Sequence, residues 1–296
     1  MSIKPIGGLF RTALDQGYAL AYFESWNLES LQGVLDAAEE THSPVIIGFN
    51  GEFLTHPERL VSERIMLYGV LARVAAEAAS VPCGLIFNEC SNDKSLRDAV
   101  DAGFNLVMLA DPEASYEAYE QRVKELVGYA HRRGVAVEAE IGELPKGASG
   151  VVSTDHSSLT DPDLAARFVS STGIDLLSVS VGNVHVLTDG TRSLDLELLA
   201  VIHEHTNVPL GLHGGTGIDA YSIKKATKLG VVKIAYGTYL KQRYLQAVRR
   251  ALGKPEADPH KILGMGGSED ALVSGRLAVR DAVLERIDLL GCCGKA

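Results

Sequence analysis

Val208-Pro-Leu-Gly-Leu-His-Gly-Gly-Thr-Gly-Ile218 is the stretch on which the reading of this chain turns. A short apolar strand ends at His213, and Gly214, Gly215, Thr216 and Gly217 follow before a helical pattern starts at Asp219. Glycines let backbone N–H groups approach an anion, Thr216 adds a hydroxyl, and a helix opening behind them points its positive end at the same spot. The pattern is that of a phosphate cradle with a histidine at its edge. A plain strand-to-helix turn has the same spelling, so the surrounding chain has to decide.

Outward from that stretch, short apolar runs alternate with longer amphipathic ones. Strands are expected at Tyr18–Phe23, Val45–Phe49, Gly84–Asn88, Leu106–Leu109, Val135–Ile141, Leu176–Val181, Leu210–His213 and Val232–Tyr236. Each is short and continuously apolar, as strands covered on both faces are. Helices are expected at Leu28–Thr41, Pro57–Ala79, Asp93–Ala102, Ser115–Arg133, Asp161–Thr172, Asp195–Glu204 and Ala220–Leu229, then at Thr238–Leu252 and Glu269–Leu289. Asp161-Pro162 reads as a helix start, and Gly103, Gly134, Gly173 and Gly230 sit where helices should stop. Eight such units without a linker predict one domain over 1–296, a (β/α)8 TIM barrel with extra C-terminal helices. An open doubly wound sheet is the alternative; no GxGxxG follows the first strand to support it.

Composition narrows the partners. A net charge of −10 argues against nucleic acid. An anionic small ligand stays possible because local N–H groups, not net charge, hold a phosphate. Cys83, Cys90, Cys292 and Cys293 show no CxxC or secreted pattern and read as reduced thiols. The N-terminus has no apolar leader and no run reaches bilayer length, so a cytoplasmic protein without membrane contact is expected.

Chemistry in a barrel of this kind gathers at the C-terminal strand ends. There the sequence puts Glu24 and Asn27, then Asn88 and Glu89, Asp111, Glu140, His185 and His213. Glu89, His185 and His213 make a reasonable open site for zinc or another divalent metal. In Val137-Glu-Ala-Glu-Ile-Gly142, alternation puts Glu138 and Glu140 on one face. An inward carboxylate there needs a partner: a metal, a substrate hydroxyl, or a nearby Lys or Arg. Gly237 and Thr238, ending Lys233-Ile-Ala-Tyr-Gly-Thr238, would close the cradle begun by Gly214, Gly215 and Thr216.

These residues resemble the class II, metal-dependent fructose- and tagatose-bisphosphate aldolases. The likeness rests on Ser43-Pro-Val-Ile, Ala102-Gly-Phe, Val137-Glu-Ala-Glu-Ile-Gly, Thr172-Gly-Ile-Asp, Gly182-Asn-Val-His and Leu212-His-Gly-Gly-Thr-Gly-Ile, and it spans nearly the whole chain. It implies a (β/α)8 barrel, a homodimer or homotetramer, and reversible cleavage of a phosphorylated ketose to dihydroxyacetone phosphate and an aldehyde. It also implies zinc or another divalent ion, with a monovalent cation as a second ion. His185 and His213 match two of the family's metal-binding histidines, and Glu140 a carboxylate that approaches the metal in an alternative position. Gly214, Gly215, Thr216 and Thr238 match phosphate-binding positions.

The same resemblance marks departures. Phe87-Asn88-Glu89 stands where the family has Leu-Asp-His, so an amide replaces a general base and a carboxylate replaces a histidine ligand. Gly147-Ala148-Ser149-Gly150 lacks the family's acidic pair, Ala235 replaces an asparagine, Val186 a glycine, and Phe23-Glu24 a Phe-Asn pair. Aldol cleavage with the displaced acid–base roles supplied by Glu24, Glu89 and Glu140, and with Glu140, Glu24 and Asn88 as the catalytic set, is the first expectation. A phosphosugar-binding or regulatory relative, or a changed reaction in the same cavity, is the alternative.

Overall fold

Every residue of Leu20–Ser25, Val45–Asn50, Cys83–Cys90 and Val231–Tyr236 is buried, as strands sandwiched between a filled barrel and a helical shell must be. The computed structural model describes residues 2–142, 159–184, 190–253 and 255–296. In chain order the elements are α1 (Ile6–Gln16), β1 (Leu20–Ser25), α2 (Leu28–Glu40), β2 (Val45–Asn50), α3 (Gly51–Leu54), α4 (Ile65–Ala78), β3 (Cys83–Cys90), α5 (Asp93–Ala102) and β4 (Leu106–Leu109). They continue with α6 (Tyr116–His131), β5 (Ala136–Ile141), α7 (Pro162–Thr172), β6 (Leu176–Val179), α8 (Leu196–His205), β7 (Leu210–Leu212), α9 (Ala220–Ala226), β8 (Val231–Tyr236), α10 (Thr238–Leu252), α11 (Pro259–Ile262) and α12 (Ala271–Ile287).

The eight strands pair in sequence order, all parallel, and β8 closes onto β1 with Leu20 opposite Lys233 and Phe23 opposite Tyr236. This is the expected (β/α)8 barrel, and the open sheet is excluded. Alternation then sorts the side chains. Phe23 and Tyr236 stack at 5.4 Å on neighbouring strands, among the apolar residues that meet the helices. Glu138, Ser178 and Lys233 meet inside, and Lys233 Nζ lies 5.5 Å from the centre of the Tyr22 ring. Gly211 leaves room there: a Cβ on it would stand 2.6 Å from Ser178 Oγ. A barrel interior this polar is unusual for a layer normally filled by branched apolar residues, and it stacks directly beneath the mouth.

Local signals explain most boundaries. Asp161 caps α7 with Pro162 in the first turn, and Gly103 and Gly173 end α5 and α7 in the left-handed conformation. Two expectations shift. The helix expected at Pro57–Ala79 is α4 alone, which starts only at Ile65, and the short α3 that precedes it was not expected. α1 has no counterpart in the sequence reading, because Gly7-Gly8 breaks its pattern; its buried face is Ile6, Leu9, Phe10 and Ala13. At the C-terminal end α12 packs on α2 and α10. No helix among the described residues is long and apolar enough to cross a membrane.

Candidate active site

β7 ends at Leu212, and His213 follows it into the barrel mouth, buried to 1% exposure. Asn183, from the turn after β6, fixes the backbone there: its Nδ2 donates to the His213 carbonyl at 3.0 Å and its Oδ1 accepts from Val181 N–H at 2.9 Å. The imidazole sits between two carboxylates. Nδ1 lies 2.7 Å from Glu89 Oε1, and Nε2 lies 3.1 Å from Glu138 Oε1. Glu138 is fully buried and also accepts from Lys233 Nζ at 2.7 and 2.8 Å and from Ser178 Oγ at 2.6 Å. The partner that strand alternation demanded for an inward carboxylate is therefore a lysine, and the carboxylate is Glu138.

Burial opposes every charge in this cluster, but the pairing wins. For Glu138, Lys233 and His213 outweigh the burial penalty and hold the carboxyl at about 2. For His213, burial and Lys233 push down while Glu89 and Glu138 push up, and the imidazole ends at about 10 in the metal-free protein. At neutral pH Glu138 is thus a carboxylate and His213 an imidazolium, in a line of contacts that runs Glu89–His213–Glu138–Lys233.

Glu89 reaches this line through a backbone irregularity. The β3–β4 register shifts between Phe87 and Cys90, and Glu89 itself has φ 49°. That region is costly for a side chain with a Cβ, on the order of 1–3 kcal/mol, and persists where the surroundings enforce it. Here Asn50 Nδ2 donates to Glu89 Oε2 at 2.6 Å while Oε1 faces His213. Asn88 is buried one residue earlier, with Oδ1 3.3 Å from Lys233 Nζ. Lysine has only donors, so the amide oxygen must face it and the amide nitrogen must face away. Asn88 therefore offers N–H groups to anything else in the mouth.

The cradle is made differently. Gly214 takes φ 70° and opens the 3-10 turn Gly215–Gly217. A Cβ on Gly215 would lie 2.6 Å from Ile234 Cγ2 and 2.9 Å from the Ala235 carbonyl, so only glycine lets this turn lie against β8. Across from it, α10 begins at Thr238 without any side-chain cap on its N-terminus. The first-turn Tyr239 N–H meets Thr216 Oγ1 at 3.4 Å, tying the two loops together. An uncapped helix start facing a glycine turn offers the backbone N–H donors that a phosphate would need. Gly237 lies close to Glu24: a Cβ there would stand 2.2 Å from Glu24 Oε2, so that carboxylate would have to move. Glu24 in turn pairs with Lys241 Nζ at 2.5 Å, and that ammonium lies 3.9 Å from the centre of the Phe53 ring.

The structure thus brings together Glu89 and His213 on one side, and Glu24, Gly214, Gly215, Thr216, Gly237 and Thr238 on the other. His185, Val186 and the Gly147–Gly150 stretch lie outside the described residues. Glu140 is the last inward residue of β5, half-buried, with its backbone N–H donating to Tyr119 Oη at 3.1 Å. Asn27 is not brought to the cradle. Its Oδ1 caps α2 through Ser30 N–H at 2.9 Å and its Nδ2 donates to Tyr244 Oη at 2.8 Å, so its side chain serves the α2 start. Asp111 is paired with Arg122. Asn50, Glu138, Lys233 and Asn183 were not picked out as site residues; counting in twos along β2, β5 and β8 would have flagged the first three as inward.

Among the described residues no three His, Cys, Asp or Glu side chains converge as a finished metal cage. The donor atoms nonetheless fit one. Two zinc ligands about 2.0–2.2 Å from the ion at a tetrahedral angle lie roughly 3.3 Å apart. Glu89 Oε1 and His213 Nδ1, now 2.7 Å apart, need only a small separation to reach that spacing. The opposite ring nitrogen already faces Glu138, the carboxylate partner that metal-bound histidines usually have. A surface cavity of about 700 Å³ lies elsewhere, between the α3–α4 loop and α5 beside Arg59, Arg64 and Lys94. Its lining includes none of the strand-end groups described above.

Comparison with known proteins identifies the family of the chain. The profile for fructose-bisphosphate aldolase class-II matches residues 5–295. A fructose-bisphosphate aldolase of Geobacillus stearothermophilus is 34% identical over 301 aligned positions, covering 100% of this chain and 99% of the relative. The YdjI protein of Escherichia coli K12 is 33% identical over 284 residues, 96% of each chain. The crystal structure described as the YdjI aldolase superposes with a TM-score of 0.81 at 32% identity, covering both chains completely. A match that runs from end to end, on a closed eight-stranded barrel, makes this chain a member of the class-II fructose-bisphosphate aldolase family.

Proposed function

We propose that this protein cleaves a phosphorylated ketose to dihydroxyacetone phosphate and an aldehyde, and runs the condensation in reverse. One observation carries the reading: His213, placed between two carboxylates, is followed at once by the Gly214–Thr216 turn, so a metal seat and a phosphate seat share one segment. Glu89, His213 and His185 would hold zinc or another divalent ion, which when bound polarises the ketose carbonyl. The glycine turn and the α10 start hold the phosphate, and Asn88 offers an N–H donor to a substrate oxygen.

In the cleavage direction the proton leaves the hydroxyl on the carbon beyond the breaking bond. The C–C bond then breaks, its electron pair passes to the dihydroxyacetone phosphate half, and that half is protonated. Asn88 is an amide and takes up no proton at neutral pH. Glu140, at the mouth on the inward face of β5, is our assignment for the proton acceptor, with Glu24 beside the cradle as the second carboxylate. The test is dihydroxyacetone phosphate release from a panel of ketose phosphates with zinc present. Release that falls on the order of 10²–10⁴-fold in Glu140→Gln, with the KM little changed, is expected; full activity in that variant would remove Glu140 from the role.

A second reading is favoured by the Asn88–Lys233 contact, which fixes a donor where a base would be useful. In that case the chain binds the phosphosugar without cleaving it, or runs another reaction in the same mouth. Binding of dihydroxyacetone phosphate with no release from any ketose phosphate would favour it. We read 1–296 as one cytoplasmic domain that assembles as a homodimer or homotetramer. The exposed apolar row Met66, Leu67, Val70 and Val74 on α4 supports assembly, and light scattering tests it.

A further inference from the structure

β2 delivers Ile46, Gly48 and Asn50 to one face, and Asn50 is the last of them, paired in register with Asn88 of β3. Its amide has two different duties. Oδ1 accepts the Phe53 N–H at 3.2 Å and so caps α3, and Nδ2 donates to Glu89 Oε2 at 2.6 Å. The orientation is unambiguous, because an N–H needs the amide oxygen and a carboxylate needs the amide nitrogen. No other residue of this size offers an acceptor on one side and a donor on the other. Aspartate would set two carboxylates against each other, and serine is too short to span both partners.

The consequence falls on Glu89. Its backbone is held in the left-handed region, and its carboxylate is fixed by one oxygen on Asn50 and the other on His213. A glutamate left alone can bind a metal with either oxygen or both. With Oε2 engaged, only Oε1 remains aimed at the space next to His213 Nδ1.

We propose that Asn50 is the positioning residue of the metal centre, and that by occupying Oε2 it makes Glu89 a one-oxygen ligand. This rests on the reading of Glu89 and His213 as metal ligands. The experiment loads wild type and Asn50→Ser, in which serine can still cap α3, with zinc and separately with Co²⁺. Zinc affinity is measured by competition with a chromophoric chelator. The visible bands of the Co²⁺ protein report coordination number, because a four-coordinate ion absorbs far more strongly than a five-coordinate one. Zinc affinity about 10–100-fold weaker in Asn50→Ser is expected, the usual effect of losing an outer-shell partner. The Co²⁺ bands should weaken as Glu89 gains use of its second oxygen.

If wild type binds zinc stoichiometrically and either readout is unchanged in the folded variant, the positioning role is wrong while the metal reading stands. If wild type binds neither ion, both fall together. Should Asn50→Ser fail to fold, Asn50→Asp keeps size and cap while removing the donor. Its Co²⁺ spectrum must then differ from wild type, and an identical spectrum overturns the proposal.

Discussion

The two halves of the barrel mouth are built from different materials. Inside the mouth, where β2, β3 and β5 meet His213 and the inward Lys233 of β8, the candidate binding groups are side chains locked to one another: Asn50 to Glu89, Glu89 to His213, His213 to Glu138, Glu138 to Lys233. On the β7–β8 side they are backbone, shaped by Gly214 and Gly215 and by the uncapped start of α10. The first half depends on charge balance and should fail as a unit. The second depends on close approach and should fail one contact at a time.

Removing the central charge should have the largest effect. Glu138→Leu leaves Lys233 and His213 buried without their shared partner, and a loss of about 3–5 kcal/mol in denaturant unfolding is expected. Pairing it with Lys233→Met should recover much of that loss; no recovery would mean the two charges are not energetically linked. Next in size is the Asn88→Asp, Glu89→His double change, which supplies a base and an imidazole at the end of β3. Aldol cleavage should rise on the order of 10²-fold. No gain would place the limitation elsewhere in the mouth.

The pH response of the metal-free protein is a smaller test of the same side. Glu138 drops from 4.5 to about 2 on folding, so its contribution is present above 4.5 and lost as pH falls towards 2. His213 rises from 6.5 to about 10, so its contribution is present below 6.5 and lost as pH rises towards 10. Between them, Tm of chelator-treated protein should peak between about pH 4.5 and 6.5 and decline on both sides. A Tm that climbs from pH 6.5 to 9 would contradict the charged His213. Smallest of all, Asn27→Ala should cost about 1 kcal/mol through the lost α2 cap and leave phosphate binding untouched. Weaker dihydroxyacetone phosphate binding in that variant would return Asn27 to the cradle.

This contrast also accounts for what could be read in advance. Glycines and a strand-end histidine announce a cradle locally, so the Gly214–Thr216 turn and the eight-strand order were legible from spacing alone. α1 was hidden by Gly7-Gly8, and the start of α4 was misplaced because nothing in Pro57–Arg64 marks where the turns begin. The ion line was legible only in part. Glu89 and His213 stood out as ligand types, but the pairing of Lys233 with Glu138 joins residues 95 positions apart, and no local pattern encodes it. Asn27 could not be sorted in advance, because an Asn near a strand end has the same spelling whether it caps a helix or binds a ligand.

The central claim is that metal and phosphate are seated on either side of the His213–Thr216 segment. A crystal structure with zinc and dihydroxyacetone phosphate, with anomalous data at the zinc edge, tests it most directly. An anomalous peak about 2.0–2.2 Å from Glu89 Oε1 and His213 Nδ1 is expected. The phosphate is expected against the Gly214–Thr216 turn and the first N–H groups of α10. No peak at His213, or a phosphate bound away from that turn, would contradict it.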